Sequence, residues 1–130
     1  MVVDTSAVMA VLNKEPARGA ILEALAGAET RIMSTATALE CVIVVEGRFG
    51  PGAAGQVDVL FPQVGIELVP VDAGQYYAAA EAWRKYGKGR HPAALNYGDC
   101  FSYALAKLSG EPILCIGNDF VRTDVTVVPL

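Results

Sequence analysis

Short apolar segments alternate along this chain with longer segments in which apolar residues recur at helical spacing. The short runs predict buried strands. These predicted strands cover residues 1–3, 31–34, 66–71, 112–116 and 125–128. The helical spacing predicts a helix in each longer segment. These predicted helices cover residues 7–12, 16–27, 35–47, 53–64, 72–86 and 97–108.

Strands that alternate with helices in this way are typical of an α/β fold. Helical connections join neighbouring strands in the same direction, so we predict a mostly parallel central sheet flanked by helices on both faces. Ser6 is expected to cap the first helix, and Thr35 or Thr37 the third, because a hydroxyl group can accept a hydrogen bond from a free backbone N–H. Residues 1–130 are expected to form a single domain.

The chain is more apolar than a monomer of this length needs. Apolar residues make up 53% of it, and its mean hydropathy is +0.38. We therefore expect some apolar surface to be covered by a second copy, giving a homodimer. No apolar run approaches the roughly 18 residues that span a bilayer, and the first strand begins at the initiator methionine, so we expect a cytoplasmic protein without membrane contact.

The cysteines predict neither disulfides nor a zinc site. Cys41, Cys100 and Cys115 are odd in number, lie in apolar segments and show no C-x-x-C spacing. His91 is the only histidine, so a soft metal has almost no ligands. We expect reduced thiols in the core.

The net charge of −4 and the pI of about 4.9 exclude a protein whose whole surface attracts nucleic acid. One local basic segment stands out, formed by Arg84, Lys85, Lys88 and Arg90. This segment is a candidate for RNA phosphate contact. The alternative is an exposed helix end, where positive charge is favourable near the C-terminus of the helix.

Asp4, Glu40, Asp99 and Asp119 each lie in or beside an apolar segment, where a carboxylate is costly to place. Asp4 and Asp119 each follow a predicted strand, at the sheet edge where α/β proteins form their functional crevice. Taken singly, each acid has an ordinary explanation as a turn residue, a helix cap or part of a solvent-facing stripe. Taken together, the four acids favour one shared cation.

A site made only of carboxylates selects hard divalent ions, Mg²⁺ or else Mn²⁺. Such an ion suits the hydrolysis of a phosphodiester, because it activates water and stabilises charge on the attacked phosphate. The acids therefore predict a metal-dependent nuclease.

Five segments together resemble the VapC toxins, which are PIN-domain ribonucleases. They are residues 3–7 (VDTSA), 34–40, 87–92 (GKGRHP), 95–101 (LNYGDCF) and 117–120 (GNDF) with Thr123 and Asp124. The resemblance covers nearly the whole chain, and the combination is far more specific than the Asp-Thr-Ser sequence alone.

The resemblance implies a PIN fold, Mg²⁺-dependent RNA cleavage, a homodimer and inhibition by a cognate VapB antitoxin. It implies that Asp4 and Asp99 bind the metal directly and that Glu40 binds it directly or through water. Asp119 would complete the acidic pocket or a second metal position. Ser6 and Asn118 would support the site as polar groups, and Asp124 would belong to an outer shell.

Many members of the family carry lysine where this chain has Ile116. This departure leaves one alternative open, a catalytically weak or inactive PIN domain that acts as a binding module for antitoxin or RNA. A second alternative is a phosphoacceptor receiver domain, because Asp72 also follows a predicted strand. The receiver chemistry needs paired acids after the first strand and a late lysine, and Thr5 and Ile116 do not supply them.

Overall fold

In the computed structural model, which describes all residues 1–130, four parallel strands form one sheet at the centre of the fold. The strands are β1 (Val2–Val3), β2 (Ile32–Ser34), β3 (Glu67–Val69) and β4 (Ile113–Leu114). Their order across the sheet is β3-β2-β1-β4, and every neighbouring pair is parallel. The predicted parallel α/β architecture is therefore confirmed.

Six α-helices connect and flank these strands. They are α1 (Thr5–Leu12), α2 (Arg18–Gly27), α3 (Thr35–Phe49), α4 (Gly55–Val64), α5 (Ala73–Tyr86) and α6 (Tyr97–Ser109). A short 3₁₀ turn, Phe120–Arg122, follows β4. None of these helices combines the length and the apolar character needed to cross a bilayer.

The helices bury both faces of the sheet. Val2 belongs to one apolar cluster, with residues of α5 and α6, and its neighbour Val3 belongs to a second cluster, with residues of α1 to α4. Successive side chains of a strand point to opposite faces, so a two-residue strand feeds both cores. All three cysteines are free and buried, as predicted.

The predicted strand at 125–128 is wrong as a full strand. The structure has only one parallel bridge there, between Ile113 and Val127. The Ile113 N–H donates to the Thr126 carbonyl and the Val128 N–H to the Ile113 carbonyl, each at 2.8 Å. Because β4 has only two residues, it offers this segment too short an edge for further pairing.

The predicted helix caps also differ from the observed ones. Asp4 caps α1 in place of Ser6, because its Oδ2 accepts from the Ser6 N–H at 2.9 Å. Ser34 caps α3 in place of either threonine, with its Oγ accepting from the Ala36 N–H at 3.3 Å. Both helices therefore start directly after a strand, so their first turns lie at the C-terminal ends of the strands.

Candidate active site

Asp4 lies at the C-terminal end of β1, next to the centre of the sheet, and is only 4% exposed. Its backbone N–H donates to the Leu114 carbonyl of β4 at 3.0 Å. Its Oδ2 accepts from both the N–H and the Oγ of Ser6, at 2.9 and 2.7 Å. The backbone and the side chain of Asp4 are thus both held in place.

A chain of buried hydroxyl groups holds the other oxygen of Asp4. Ser102, on α6 and fully buried, donates from Oγ to Oδ1 of Asp4 at 2.7 Å. The Ser102 hydroxyl also lies 3.3 Å from Oγ1 of Thr37, a buried residue of α3. Three separate segments of the chain therefore meet at this carboxylate.

Glu40 reaches the same region from α3, the helix that follows β2. Its Oε2 accepts a hydrogen bond of 2.5 Å from Oγ1 of Thr5, the residue directly after Asp4. Its carboxylate also lies against the backbone of Gly98, in the first turn of α6. Glu40 therefore lies between the start of α1 and the start of α6.

Asp99 follows Gly98 in the first turn of α6. It forms a capping box with Asn96, because Oδ2 of Asp99 accepts from the Asn96 N–H at 2.8 Å and Oδ1 of Asn96 accepts from the Asp99 N–H at 2.9 Å. Burial raises the pKa of the Asp99 carboxyl to about 7, although the Asn96 N–H lowers it. The negative charges of the other three acids raise this pKa further.

Asp119 follows β4 and is exposed, like its neighbour Asn118. Neither side chain makes a hydrogen bond within the protein, but the negative charge of Asp119 helps to raise the pKa of Asp99.

Burial, and then the charges of Asp4, Asp119 and Asp99, raise the pKa of the Cys115 thiol to about 12. That buried thiol is therefore protonated at neutral pH and is not a candidate nucleophile.

No cationic side chain compensates the four acids. The ion pairs of the protein involve other carboxylates, those of Glu81, Glu111 and Asp124. As the side chains lie, no three His, Cys, Asp or Glu residues form a group ready to hold a metal ion. The site is thus a cluster of negative charge at the C-terminal ends of the strands. As the side chains lie, its carboxylates do not surround a common point.

This arrangement on a parallel sheet agrees with the comparisons to known proteins. A family model described as the PIN domain matches residues 1–125. A ribonuclease VapC of Mycolicibacterium smegmatis is 52% identical over 128 residues, covering 98% of this chain and 99% of the relative. Ribonuclease VapC30 of Mycobacterium tuberculosis is 48% identical over 130 residues, covering 100% and 99%.

This chain belongs to the VapC family of PIN-domain ribonucleases. Solved structures agree with the fold of the family. The crystal structure of Mycobacterium tuberculosis VapC20, a toxin that cleaves the sarcin-ricin loop, has a TM-score of 0.79 at 19% identity and covers 98% of this chain and 97% of that one. A toxin–antitoxin complex from Klebsiella pneumoniae has a TM-score of 0.74 at 14% identity, with coverages of 99% and 97%.

Ser6 and Ile116 meet at the rim of this VapC site. The Ile116 N–H donates to the Oγ of Ser6 at 2.9 Å, so Ser6 joins the segment after β4 to Asp4. The side chain of Ile116 lines an open apolar groove of about 570 Å³ with Val121 and Leu130. The backbone at position 116 therefore supports the site whatever side chain it carries.

Asp124 lies apart from the four acids. Its Oδ1 accepts from the Tyr103 hydroxyl at 2.6 Å, and its Oδ2 accepts from Nζ of Lys107 at 3.1 Å. The Tyr103 hydrogen bond and the two nearby lysines hold the pKa of Asp124 at about 2. These partners tie the C-terminal segment to α5 and α6, so the structure does not bring Asp124 into the site.

Two of the four basic candidates already have acidic partners. Arg84 pairs with Glu81 on the same helix, and Lys85 lies 3.8 Å from Asp124. Both pairs are exposed.

Lys88 and Arg90 make no ion pair. The Arg90 guanidinium lies 5.7 Å from the ring centroid of Trp83. Lys88 lines a groove of about 530 Å³ together with Asn96 and Tyr97, the residues that begin α6 beside Asp99. These two cations are therefore the better placed for an incoming anion.

Sequence reasoning missed four residues of the site, namely Thr5, Thr37, Gly98 and Ser102. Ser102 was recognisable as a neighbour of Asp99 on one face of α6, because the two are three positions apart. Nothing in the local pattern indicates that its hydroxyl reaches Asp4, 98 positions away.

Proposed function

We propose that this VapC family member hydrolyses RNA phosphodiester bonds with a divalent metal, Mg²⁺ or Mn²⁺, held by Asp4, Asp99 and Glu40. Asp119 completes the acidic pocket or serves a second metal position. One observation carries the proposal: four carboxylates from distant segments converge at the C-terminal edge of a parallel sheet, without a cationic side chain among them. A cation is the simplest compensation for such a cluster.

The donor atoms fit a hard divalent ion. Oδ1 of Asp99, Oε1 of Glu40 and both carboxylate oxygens of Asp119 accept no hydrogen bond from the protein. Oxygen-only sites of this kind select Mg²⁺ or Mn²⁺, ions that keep several of their own waters. Because no three acids form a ready group, coordination requires side-chain rotation, which the exposed Asp119 is free to make.

A bound divalent ion supplies a water of lowered pKa and stabilises negative charge on the attacked phosphate, giving 5′-phosphate and 3′-hydroxyl ends. The protein contributes the position of the donors. Ser6 and Ser102 hold the two oxygens of Asp4, and Thr5 holds one oxygen of Glu40. The capping box holds Oδ2 of Asp99, so each of these three carboxylates has at least one oxygen held by the protein, and the side chains must still rotate to share one ion.

The Asp4→Asn variant tests this proposal with little risk to the fold. The new amide can donate to the Ser102 hydroxyl, which can then turn its own hydrogen toward Thr37, since either of these two hydroxyls can be the donor. The amide oxygen still accepts from Ser6. We expect the variant to fold but to lose RNA cleavage in Mg²⁺ or Mn²⁺ by more than about 100-fold, in line with the loss of a metal ligand. Unchanged cleavage by Asp4→Asn and Asp99→Asn would falsify the assignment.

The second candidate function is a binding module with weak or absent catalysis, and Ile116 is the observation that favours it. A lysine there would bring a positive charge near the acids, which this chain lacks. The module predicts RNA or antitoxin binding with no cleavage in either metal. Cleavage assays on the wild-type protein separate the two functions. A receiver domain is not supported, because Asp72 follows the edge strand β3 and β2 lies between that strand and β1.

For partners, we propose a VapB-type antitoxin, RNA and a second copy of this chain, in the cytoplasm. The Klebsiella neighbour comes from a toxin–antitoxin complex. Exposed aromatic side chains on α5 and α6, among them Tyr76, Tyr77 and Tyr97, support a covered surface in a dimer. Light scattering during size-exclusion chromatography tests for the dimer. Co-purification with the product of an adjacent small reading frame tests for the antitoxin.

A further inference from the structure

The glycine before Asp99 faces the carboxylate of Glu40. An ideal Cβ built on Gly98 would lie 2.3 Å from Oε1 of Glu40 and 2.6 Å from both its Cδ and its Oε2. Real Cβ contacts are never this short, so any side chain at position 98 would displace the carboxylate. The three nearest atoms all belong to the end of a flexible side chain, so moving the Glu40 carboxylate relieves the closest contacts.

The conformation of Gly98 does not itself require glycine. Its φ angle lies outside the positive range that favours glycine, and it occupies the second position of α6, where alanine is the better helix former. Local stability therefore favours a residue other than glycine. What the missing side chain provides is room for a carboxylate from another helix.

We infer that Gly98 is a positioning residue for the acid cluster, because the space left by its missing Cβ fixes where the Glu40 carboxylate lies relative to Asp99. Thr5 holds Oε2 of Glu40 from one side, and the bare backbone of α6 receives the carboxylate on the other. Glu40 thus lies beside the start of α6, where the helix dipole favours a negative charge. This inference rests on the proposed function only in the role it gives Glu40 as a metal ligand.

Gly98→Ala tests the inference, and Gly19→Ala is its matched control. Gly19 occupies the second position of α2, as Gly98 does in α6, but nothing lies within 4 Å of a Cβ built there. We expect Gly98→Ala to unfold at the wild-type temperature or above it, because alanine favours the helix. We expect its Mn²⁺ affinity, measured by isothermal titration calorimetry, to fall about 10-fold or more, as for the loss of groups that orient ligands. Gly19→Ala should bind Mn²⁺ as the wild type does.

A double-mutant cycle with Glu40→Asp identifies Glu40 as the group through which Gly98 acts. Aspartate is one methylene shorter, so its carboxylate is withdrawn from the added methyl group. Gly98→Ala should therefore change Mn²⁺ affinity by less than about 2-fold in the Glu40→Asp background, because the interaction it disrupts is already gone. Equal effects of Gly98→Ala in both backgrounds would overturn the inference.

The outcomes separate this inference from the proposed function. If the wild-type protein takes up no Mn²⁺, the metal proposal and the inference both fall. If the wild type binds Mn²⁺ and Gly98→Ala binds it equally well, only the role of Gly98 is refuted. A Gly98→Ala protein that loses affinity together with thermal stability also refutes it, because the glycine would then serve the fold.

Discussion

Ser102 donates a 2.7 Å hydrogen bond to Asp4, and both residues are buried. The bond joins the first strand to the last long helix, one turn after Asp99. A buried carboxylate needs such partners, because an unsatisfied one pays its full desolvation cost. The same hydroxyl group therefore contributes both to stability and to the orientation of a candidate metal ligand.

We predict that Ser102→Ala weakens both properties. The change leaves Oδ1 of Asp4 without its donor, so the free energy of unfolding should fall by about 1–3 kcal/mol. Mn²⁺ affinity should fall about 10-fold, since Asp4 is less well oriented. Chemical denaturation and calorimetry measure the two effects. Ser109→Ala, at the exposed end of the same helix, is the control and should leave Mn²⁺ affinity unchanged. Full Mn²⁺ affinity in Ser102→Ala would contradict the orienting role.

We predict that Asp99→Asn stabilises the metal-free protein at high pH. The pKa of Asp99 is raised in the fold from 3.8 to about 7, so ionisation costs folding free energy once the pH exceeds the unfolded value. That cost is absent below about pH 4 and complete above about pH 7. The asparagine carries no charge, and its side-chain oxygen can still accept from the Asn96 N–H. With EDTA present, the variant should be more stable by about 1–2 kcal/mol at pH 8, allowing for solvent screening.

Thermal unfolding of both proteins from pH 4 to pH 8 checks the Asp99 prediction. The two curves should coincide near pH 4 and separate as the pH rises. Saturating Mn²⁺ should reverse the order at pH 8, because the metal stabilises only the protein that binds it. A difference that does not change with pH would count against a raised pKa.

We predict the opposite pH dependence for Asp124→Asn. The pKa of Asp124 is lowered from 3.8 to about 2 by the Tyr103 hydroxyl and the nearby lysines, so its ionised form stabilises the fold. This contribution is complete above about pH 4 and is lost as the pH falls from there toward 2. The variant should lose about 1 kcal/mol at pH 7, a small value because the group is largely exposed.

RNA cleavage and unfolding together test where Asp124 belongs. Because Asp124 lies apart from the acids, cleavage by Asp124→Asn should stay within about 2-fold of the wild type under conditions where both are folded. A strong loss of cleavage without a loss of stability would place Asp124 in the active site after all. Tyr103→Phe is the matched control, since it removes the same 2.6 Å hydrogen bond and keeps the charges of Asp124 and Lys107.

We predict that Lys88 and Arg90 contribute more to RNA binding than Arg84. The first two have no acidic partner, whereas Arg84 is neutralised by Glu81. Lys88→Ala and Arg90→Ala should weaken binding and should each reduce the salt dependence of log K by about 0.7, the value for one phosphate contact on a single strand. Arg84→Ala should do neither. RNA binding by these variants is measured at several salt concentrations, in the Asp4→Asn background that is expected not to cleave the RNA. Equal effects of Arg84→Ala and Lys88→Ala would contradict the prediction.

Local patterns in the sequence were enough for most of the architecture. The apolar runs and the helical spacing predict the four strands and six helices, because burial of a strand or of one helix face imposes a period on nearby residues. The predicted strand at 125–128 was wrong, because the apolar residues there do not indicate that β4 has only two residues with which they can pair. Whether such a segment pairs depends on its neighbour in space.

The sequence by itself indicated that Asp4, Glu40, Asp99 and Asp119 lie in or beside apolar segments and that Asp4 and Asp119 follow strands. Only the tertiary structure decided which other groups serve them. The hydrogen bond from Ser102 to Asp4, the contact of Glu40 with Gly98 and the hydrogen bond from Tyr103 to Asp124 all join segments that are distant in the chain. The periodicity of the sequence does not indicate these contacts. The physical reason is that burial of one face imposes a pattern on residues that are close in the chain, whereas a hydrogen bond or a steric contact needs two residues that the fold must first bring together.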